Sequence, residues 1–143
     1  MGSSRFPGKP LQPILGVPML GHVYFRAKMS PLLSAVYIAT YDQEIMDYAA
    51  SIGAPAVLVR EQYPGCPGCT AAALPEIEER EGRQADVVLL LQGDEPMTTP
   101  DMIDAALQPF SQDPAVQVVN LMAPLLNAAE HDDEHEPKGV VDC

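Results

Sequence analysis

Two segments carry residue types suited to chemistry on phosphate. The first is Gly2-Ser3-Ser4-Arg5-Phe6-Pro7-Gly8-Lys9-Pro10. Its small residues let backbone N–H groups approach phosphate oxygens closely. Arg5 offers a planar fork of donors and Lys9 a point charge, both suited to neutralising phosphate. Four of the eight Lys and Arg residues fall within the first 28 positions of a chain whose net charge is -12. The spacing is not that of a P-loop, because Pro10 stands where G-x-x-x-x-G-K-[ST] requires Ser or Thr. An exposed tail with ordinary solubilising charges would have the same composition.

The second segment is Leu89-Leu90-Leu91-Gln92-Gly93-Asp94-Glu95-Pro96. A carboxylate at the carboxyl end of a central strand sits where ligands bind in open α/β sheets. Gly93 removes a side chain that would obstruct the approach. Asp94 suits Mg²⁺ held against a triphosphate, since that ion takes one or two carboxylates together with phosphate oxygens. A turn in which Asp94 caps the following helix is the structural alternative.

Two further clusters are weaker. Cys66-Pro67-Gly68-Cys69 has the C-x-x-C spacing of a redox pair or of half a zinc site. Zinc needs a second pair of ligands, and downstream of the motif only Cys143, His131 and His135 remain, far along the chain. Redox pairs of this spacing open a helix after a strand, a context only loosely met, so a tight turn bearing two thiols is expected. In Glu130-His131-Asp132-Asp133-Glu134-His135-Glu136 the histidines are four apart, as on one helix face, but seven consecutive polar residues read as a solvated loop.

The elements that must position these residues follow from periodicity. Residues 1–13 read as a Gly- and Pro-rich loop, and residues 17–29 carry helical apolar spacing that ends at Ser30-Pro31. Residues 35–40 and 55–59 are short β-prone runs. Between them a helix is expected from Asp42, as its cap, to Ala50, with Gly53 closing it. Residues 60–69 read as irregular, and a helix is expected over 70–80 with Pro75 starting or kinking it. Residues 86–91 form an uninterrupted apolar run, as in a central parallel strand covered on both faces. A helix from Thr99 or Pro100 to Phe110 and a strand over 115–122 complete the order. This alternation implies an α/β fold: three layers around a mostly parallel sheet. Residues 1–126 would form the domain and 127–143 an acidic, irregular tail.

Taken together, Ser3 through Leu11, Gly16-Val17-Pro18-Met19-Leu20 and the Gln92-Gly93-Asp94-Glu95-Pro96 turn after an apolar strand resemble the sugar-acid cytidylyltransferases, above all the 3-deoxy-manno-octulosonate cytidylyltransferases. Ala39-Thr40-Tyr41-Asp42 fits the same pattern, and the resemblance covers most of residues 2–126. It implies a nucleotide-diphospho-sugar transferase-like fold and transfer of CMP from CTP to a Kdo-like sugar acid, with release of pyrophosphate, for lipopolysaccharide precursors. By the same resemblance Arg5 and Lys9 bind the triphosphate. Asp94 holds Mg²⁺, Gln92 faces the sugar acid, and Ser3, Ser4, Gly8 and Gly93 line the substrates. The family begins with a strand ahead of this loop and continues to a second metal-binding Asp and a dimer-forming region. The present chain is therefore expected to be incomplete at both ends, with the homodimer a property of the full-length family. Where the family has a Ser-Gly-Thr-x-Arg-like segment, this chain reads Gly68-Cys69-Thr70-Ala71-Ala72, without the Arg.

Composition bounds the alternatives. A length of 143 residues with 47% hydrophobic residues suits one modest packed domain, and 15 prolines with ten glycines imply many turns. The acidic balance argues against nucleic acid or an anionic membrane as partner but leaves room for a small phosphate ligand in a local positive pocket. Three cysteines and no basic-then-apolar leader point to a reducing compartment, and no apolar run approaches the roughly 20 residues of a membrane span, so a cytoplasmic protein is expected.

Overall fold

The structure is a computed structural model that describes residues 8–61, 63, 65–124, 127 and 132. A single 3-10 turn over Lys9–Leu11 leads into a two-residue-loop hairpin of β1 (Pro13–Ile14) and β2 (Val17–Pro18). Its central residues Leu15 and Gly16 both have positive φ, at 50° and 84°, the backbone that such tight hairpins require. The prolines flanking the turn hid this hairpin from the periodicity, which reads residues up to 13 as loop and those from 17 as helix.

Helix α1 (Met19–Ala27) buries Leu20, Val23, Tyr24 and Ala27, matching the expected helix. Next come β3 (Ile38–Thr40) and β4 (Ala56–Leu58), within the expected spans, and between them α2 (Gln43–Ser51), which runs one residue past the expected end at Ala50. Asp42 occupies the N-cap position of α2 without a side-chain capping bond. Gly53, at φ 67°, ends the helix as expected, and the Ala54 N–H returns to the Ala49 carbonyl at 2.9 Å.

β3 and β4 pair in parallel, with Ile38 opposite Ala56 and Thr40 opposite Leu58. The side-chain period of two divides their residues between faces. Ile38 and Ala56 pack with Leu20 and Tyr24 of α1 and with Ile45 and Ala49 of α2. On the opposite face Val57 packs with Cys69 and Ala73 of α3 (Gly65–Glu81). The result is three layers, helix–sheet–helix, around a parallel pair. Arg80 ties α3 to the sheet by donating to the Ala56 carbonyl at 2.9 Å. Pro75 lies inside α3 rather than starting it, and the helix begins five residues ahead of the expected start at residue 70.

Helix α4 (Pro100–Gln112) packs on α1 through Ile103, which is 1% exposed, and Ser30 donates to Asp104 at 2.6 Å. Its start follows the sequence: Thr99 caps it by accepting from the Met102 N–H, and Pro100 holds the first turn.

Two expected strands are corrected. Among the described residues, neither 86–91 nor 115–122 pairs with another strand. Val87, Val88 and Leu90 are exposed, as are Val118, Leu121 and Met122. An apolar run records the environment its side chains prefer, whereas a strand also needs a neighbouring backbone to take its N–H and C=O groups. Residues 86–91 instead face β3 across an open cavity, so the sheet of the described residues is the β3–β4 pair and not a wider sheet centred on 86–91.

Candidate active site

Gly8 has φ 72°, a left-handed backbone that costs glycine nothing, and its carbonyl accepts from the Leu11 N–H at 3.0 Å. That turn starts the 3-10 segment at Lys9. The segment is anchored behind by the Met19 N–H, which donates to the Gln12 carbonyl at 2.9 Å, and by His22 Nε2, 2.8 Å from the Ile14 carbonyl.

The other half of the site is the turn after the apolar run. The Glu95 N–H donates to the Gln92 carbonyl at 3.2 Å, and the Thr98 N–H donates to the Glu95 carbonyl at 3.2 Å. These successive turns end on the Thr99 cap, so α4 fixes the position of Asp94. A Cβ on Gly93 would lie 3.1 Å from Leu20 Cδ1 of α1. Glycine thus lets the turn close onto the helix that follows the Lys9 loop.

The two halves meet. Lys9 Nζ lies 2.7 Å from Asp94 Oδ2, joining residues 85 apart in sequence. Both side chains are about one-third exposed, at 36% and 37%, so the pair is accessible to a ligand from solvent. An accessible pair of this kind contributes only about 0–1 kcal/mol to stability. Its chemical content is a donor suited to an anion beside a carboxylate suited to a cation. Asp94 stands alone in this respect: among the described residues no three His, Cys, Asp or Glu side chains gather as a metal cage. One partly exposed carboxylate fits Mg²⁺ carried in with phosphate oxygens, and does not fit a metal held by protein alone.

Beside the pair lies a cavity of about 1080 Å³, between β3 and the run 85–93. Pro10, Thr40, Tyr41, Cys66, Gln92 and Gly93 contribute to its wall. Its size matches that of pockets for substantial small molecules, which run to about 1,000 Å³. Loss of solvent around the Tyr41 phenol, opposed by its hydrogen bond with the Tyr63 carbonyl, pushes its pKa above the ordinary tyrosine value.

Of the residues singled out in the sequence, Lys9, Gly8, Gln92, Gly93 and Asp94 converge here. Ser3, Ser4 and Arg5 lie outside the described residues, as do His131, His135 and Cys143. Cys66 was read as part of an isolated turn, yet its Sγ lies 4.0 Å from Gln92 Oε1, at the cavity wall. The C-x-x-C spacing was its only sequence signal. Tyr41 had no signal of its own beyond the segment that contains it.

Comparison with known proteins gives a consistent result. A family model described as cytidylyltransferase matches residues 1–142. The chain is 38% identical over 140 residues to a 3-deoxy-manno-octulosonate cytidylyltransferase of Syntrophotalea carbinolica, covering 98% of this chain and 54% of that protein. It is 36% identical over 142 residues to an 8-amino-3,8-dideoxy-manno-octulosonate cytidylyltransferase of Shewanella oneidensis, covering 99% and 57% respectively. Among solved structures, a CMP:2-keto-3-deoxy-manno-octonic acid synthetase complexed with CTP matches with a TM-score of 0.69 and 36% identity, over 80% of this chain and 45% of that one. The chain thus spans about half the length of the relatives it matches.

Proposed function

The chain belongs to the cytidylyltransferase family, and on that premise we propose that it acts in transfer of CMP from CTP to a Kdo-like eight-carbon sugar acid, with release of pyrophosphate. The observation that carries this reading is the Lys9–Asp94 pair, which joins a Gly/Pro loop bearing a cation to a carboxylate turn beside a nucleotide-sized cavity. The kinship with 3-deoxy- and 8-amino-dideoxy-octulosonate enzymes supports the acceptor class.

In this reading Lys9 leaves Asp94 for the triphosphate, which Arg5 also binds. Separation of the pair costs little because both ends are solvated. Asp94, freed from Lys9, is the residue that would hold Mg²⁺, and the ion would supply neutralisation of charge on the transferring group. The Gly8 turn aims backbone donors at the phosphates, and the Gln92 amide meets the sugar acid. The acceptor hydroxyl attacks the α-phosphorus, the bond to the bridging oxygen breaks, and pyrophosphate departs. The chain's contribution is positioning and electrostatic stabilisation, without a covalent intermediate. The proposed setting is the cytoplasm and the proposed use of the product is lipopolysaccharide assembly. Among the described residues no helix is long and apolar enough to cross a membrane.

A second reading, nucleotide binding without turnover, is favoured by one observation: no group of three or more His, Cys, Asp or Glu side chains forms a metal site among the described residues. Pyrophosphate release measured with CTP, Mg²⁺ and either 3-deoxy- or 8-amino-octulosonate separates the two. Turnover that Asp94→Asn removes supports the transferase, and CTP binding without turnover supports the second reading. Failure of CTP to bind at all would overturn both.

A further inference from the structure

Cys66 and Cys69 take no part in the proposed transfer, and their placement gives them chemistry of their own. The sequence reading put them in a tight turn. The structure puts them on the first turn of α3, a 17-residue helix entered from β4. Residues three apart on a helix share a face. Helical geometry sets their Cα atoms about 5 Å apart, within the roughly 4.4–6.8 Å that a disulfide spans. Both are free thiols, Cys66 exposed and Cys69 buried against Val57, Val59 and Ala73.

The turn that carries them is held on three sides. A Cβ on Gly68 would come within 2.5 Å of Tyr63 Cβ, so the Cys-Pro-Gly-Cys turn rests directly on Tyr63. The Tyr63 N–H in turn donates to the Tyr41 hydroxyl at 3.1 Å. Burial pushes the Cys69 thiol above its ordinary pKa, an effect the Tyr41 hydroxyl offsets in part. On the outer side Cys66 Sγ meets Gln92 Oε1 at the cavity wall.

We propose that Cys66 and Cys69 form a redox pair that closes into a reversible disulfide by exchange with a small-molecule disulfide of the glutathione class. Cys66, the exposed thiol, gives up its proton and attacks one sulfur of the small disulfide. That S–S bond breaks, one thiol leaves, and a mixed disulfide forms on Cys66. Cys69 then loses its proton and attacks Cys66 Sγ, and the second small thiol departs. The protein loses two electrons and two protons, and the small disulfide is reduced to two thiols. The slower step is the second, because the buried Cys69 thiol holds its proton more tightly. Closure moves Cys66 Sγ from Gln92 towards Cys69, which alters the cavity wall. This inference rests on the placement of the two thiols and does not depend on the proposed transfer.

The test uses the full chain carrying Cys143→Ser, reduced and then exposed to oxidised glutathione. Released thiol is counted and cysteines are mapped by alkylation and mass spectrometry. The expected result is two equivalents of thiol released per chain and a Cys66–Cys69 disulfide reopened by dithiothreitol. Cys69→Ser should release one equivalent and keep glutathione on Cys66, and Cys66→Ser should leave the buried Cys69 unmodified. Persistence of glutathione on Cys66 with Cys69 still open to alkylation would overturn the pairing. Equal reaction of Cys69 in Cys66→Ser would overturn Cys66 as the attacking thiol, and no reaction at either cysteine would overturn the site.

Discussion

The segment from β3 to β4 and the segment from residue 85 to 98 start from similar sequence cues and end differently. Ala35–Thr40 and Pro55–Val59 are short apolar runs, and each contributes a strand because each supplies the other's hydrogen-bonding edge. Residues 86–91 form a run as long as 35–40 and richer in leucine, yet they pair with nothing among the described residues and three of their large side chains are exposed. Side-chain hydrophobicity is a property of the segment itself, whereas strand pairing is a property of two segments. The carboxylate turn after 86–91 therefore takes its position from elsewhere, namely the Thr99 cap of α4, the close contact of Gly93 with Leu20 and the ion pair to Lys9.

The contrast is broken most severely by a buried charge. Val57 is 2% exposed between the sheet and α3, and Val88 is 46% exposed. Val57→Asp should cost several kcal/mol, roughly the 3–5 kcal/mol of an uncompensated buried charge, and should unfold a domain of this size. Val88→Asp should stay within about 1 kcal/mol of wild type. Urea unfolding followed by circular dichroism checks both, and equal losses would show that 86–91 is buried like β4. A smaller effect is expected at Gly93. Gly93→Ala presses a methyl group on Leu20 and should cost about 1 kcal/mol, with part recovered in Gly93→Ala/Leu20→Ala. The subtlest test is native-state hydrogen exchange. The amides of Ile38 and Val59, bonded to the Pro55 and Thr40 carbonyls at 3.0 and 2.8 Å, should be protected. Those of Val87 to Leu90 should exchange rapidly.

Much of this was legible in the sequence where the signal is local. The α2 boundaries follow from Asp42 and Gly53, and the α4 start from Thr99-Pro100, because caps are read from a few adjacent residues. The β1–β2 hairpin was missed because Pro13, tolerated at its short edge, looks like a loop residue and Val17-Pro18 runs into the helical spacing that follows. The early start of α3 was missed because Gly65, Pro67 and Gly68 resemble helix breakers, although proline is tolerated in a first turn. In the site, Lys9 and Asp94 were each identifiable from residue type and setting. Their meeting was not, because no local pattern encodes a contact across 85 residues. The family resemblance assigned both residues to one bound triphosphate without implying their direct contact.

The central claim is that the Lys9–Asp94 pair is the grip for the nucleotide, and calorimetric titration of CTP in excess Mg²⁺ tests it most directly. Lys9→Ala should leave the thermal unfolding midpoint nearly unchanged, since an accessible pair contributes about 0–1 kcal/mol. The same substitution should weaken CTP binding by roughly 1–3 kcal/mol, the scale of a charge-assisted hydrogen bond to phosphate. CTP affinity equal to that of wild type, in a variant that remains folded, would contradict the assignment and leave the pair as a link between two turns.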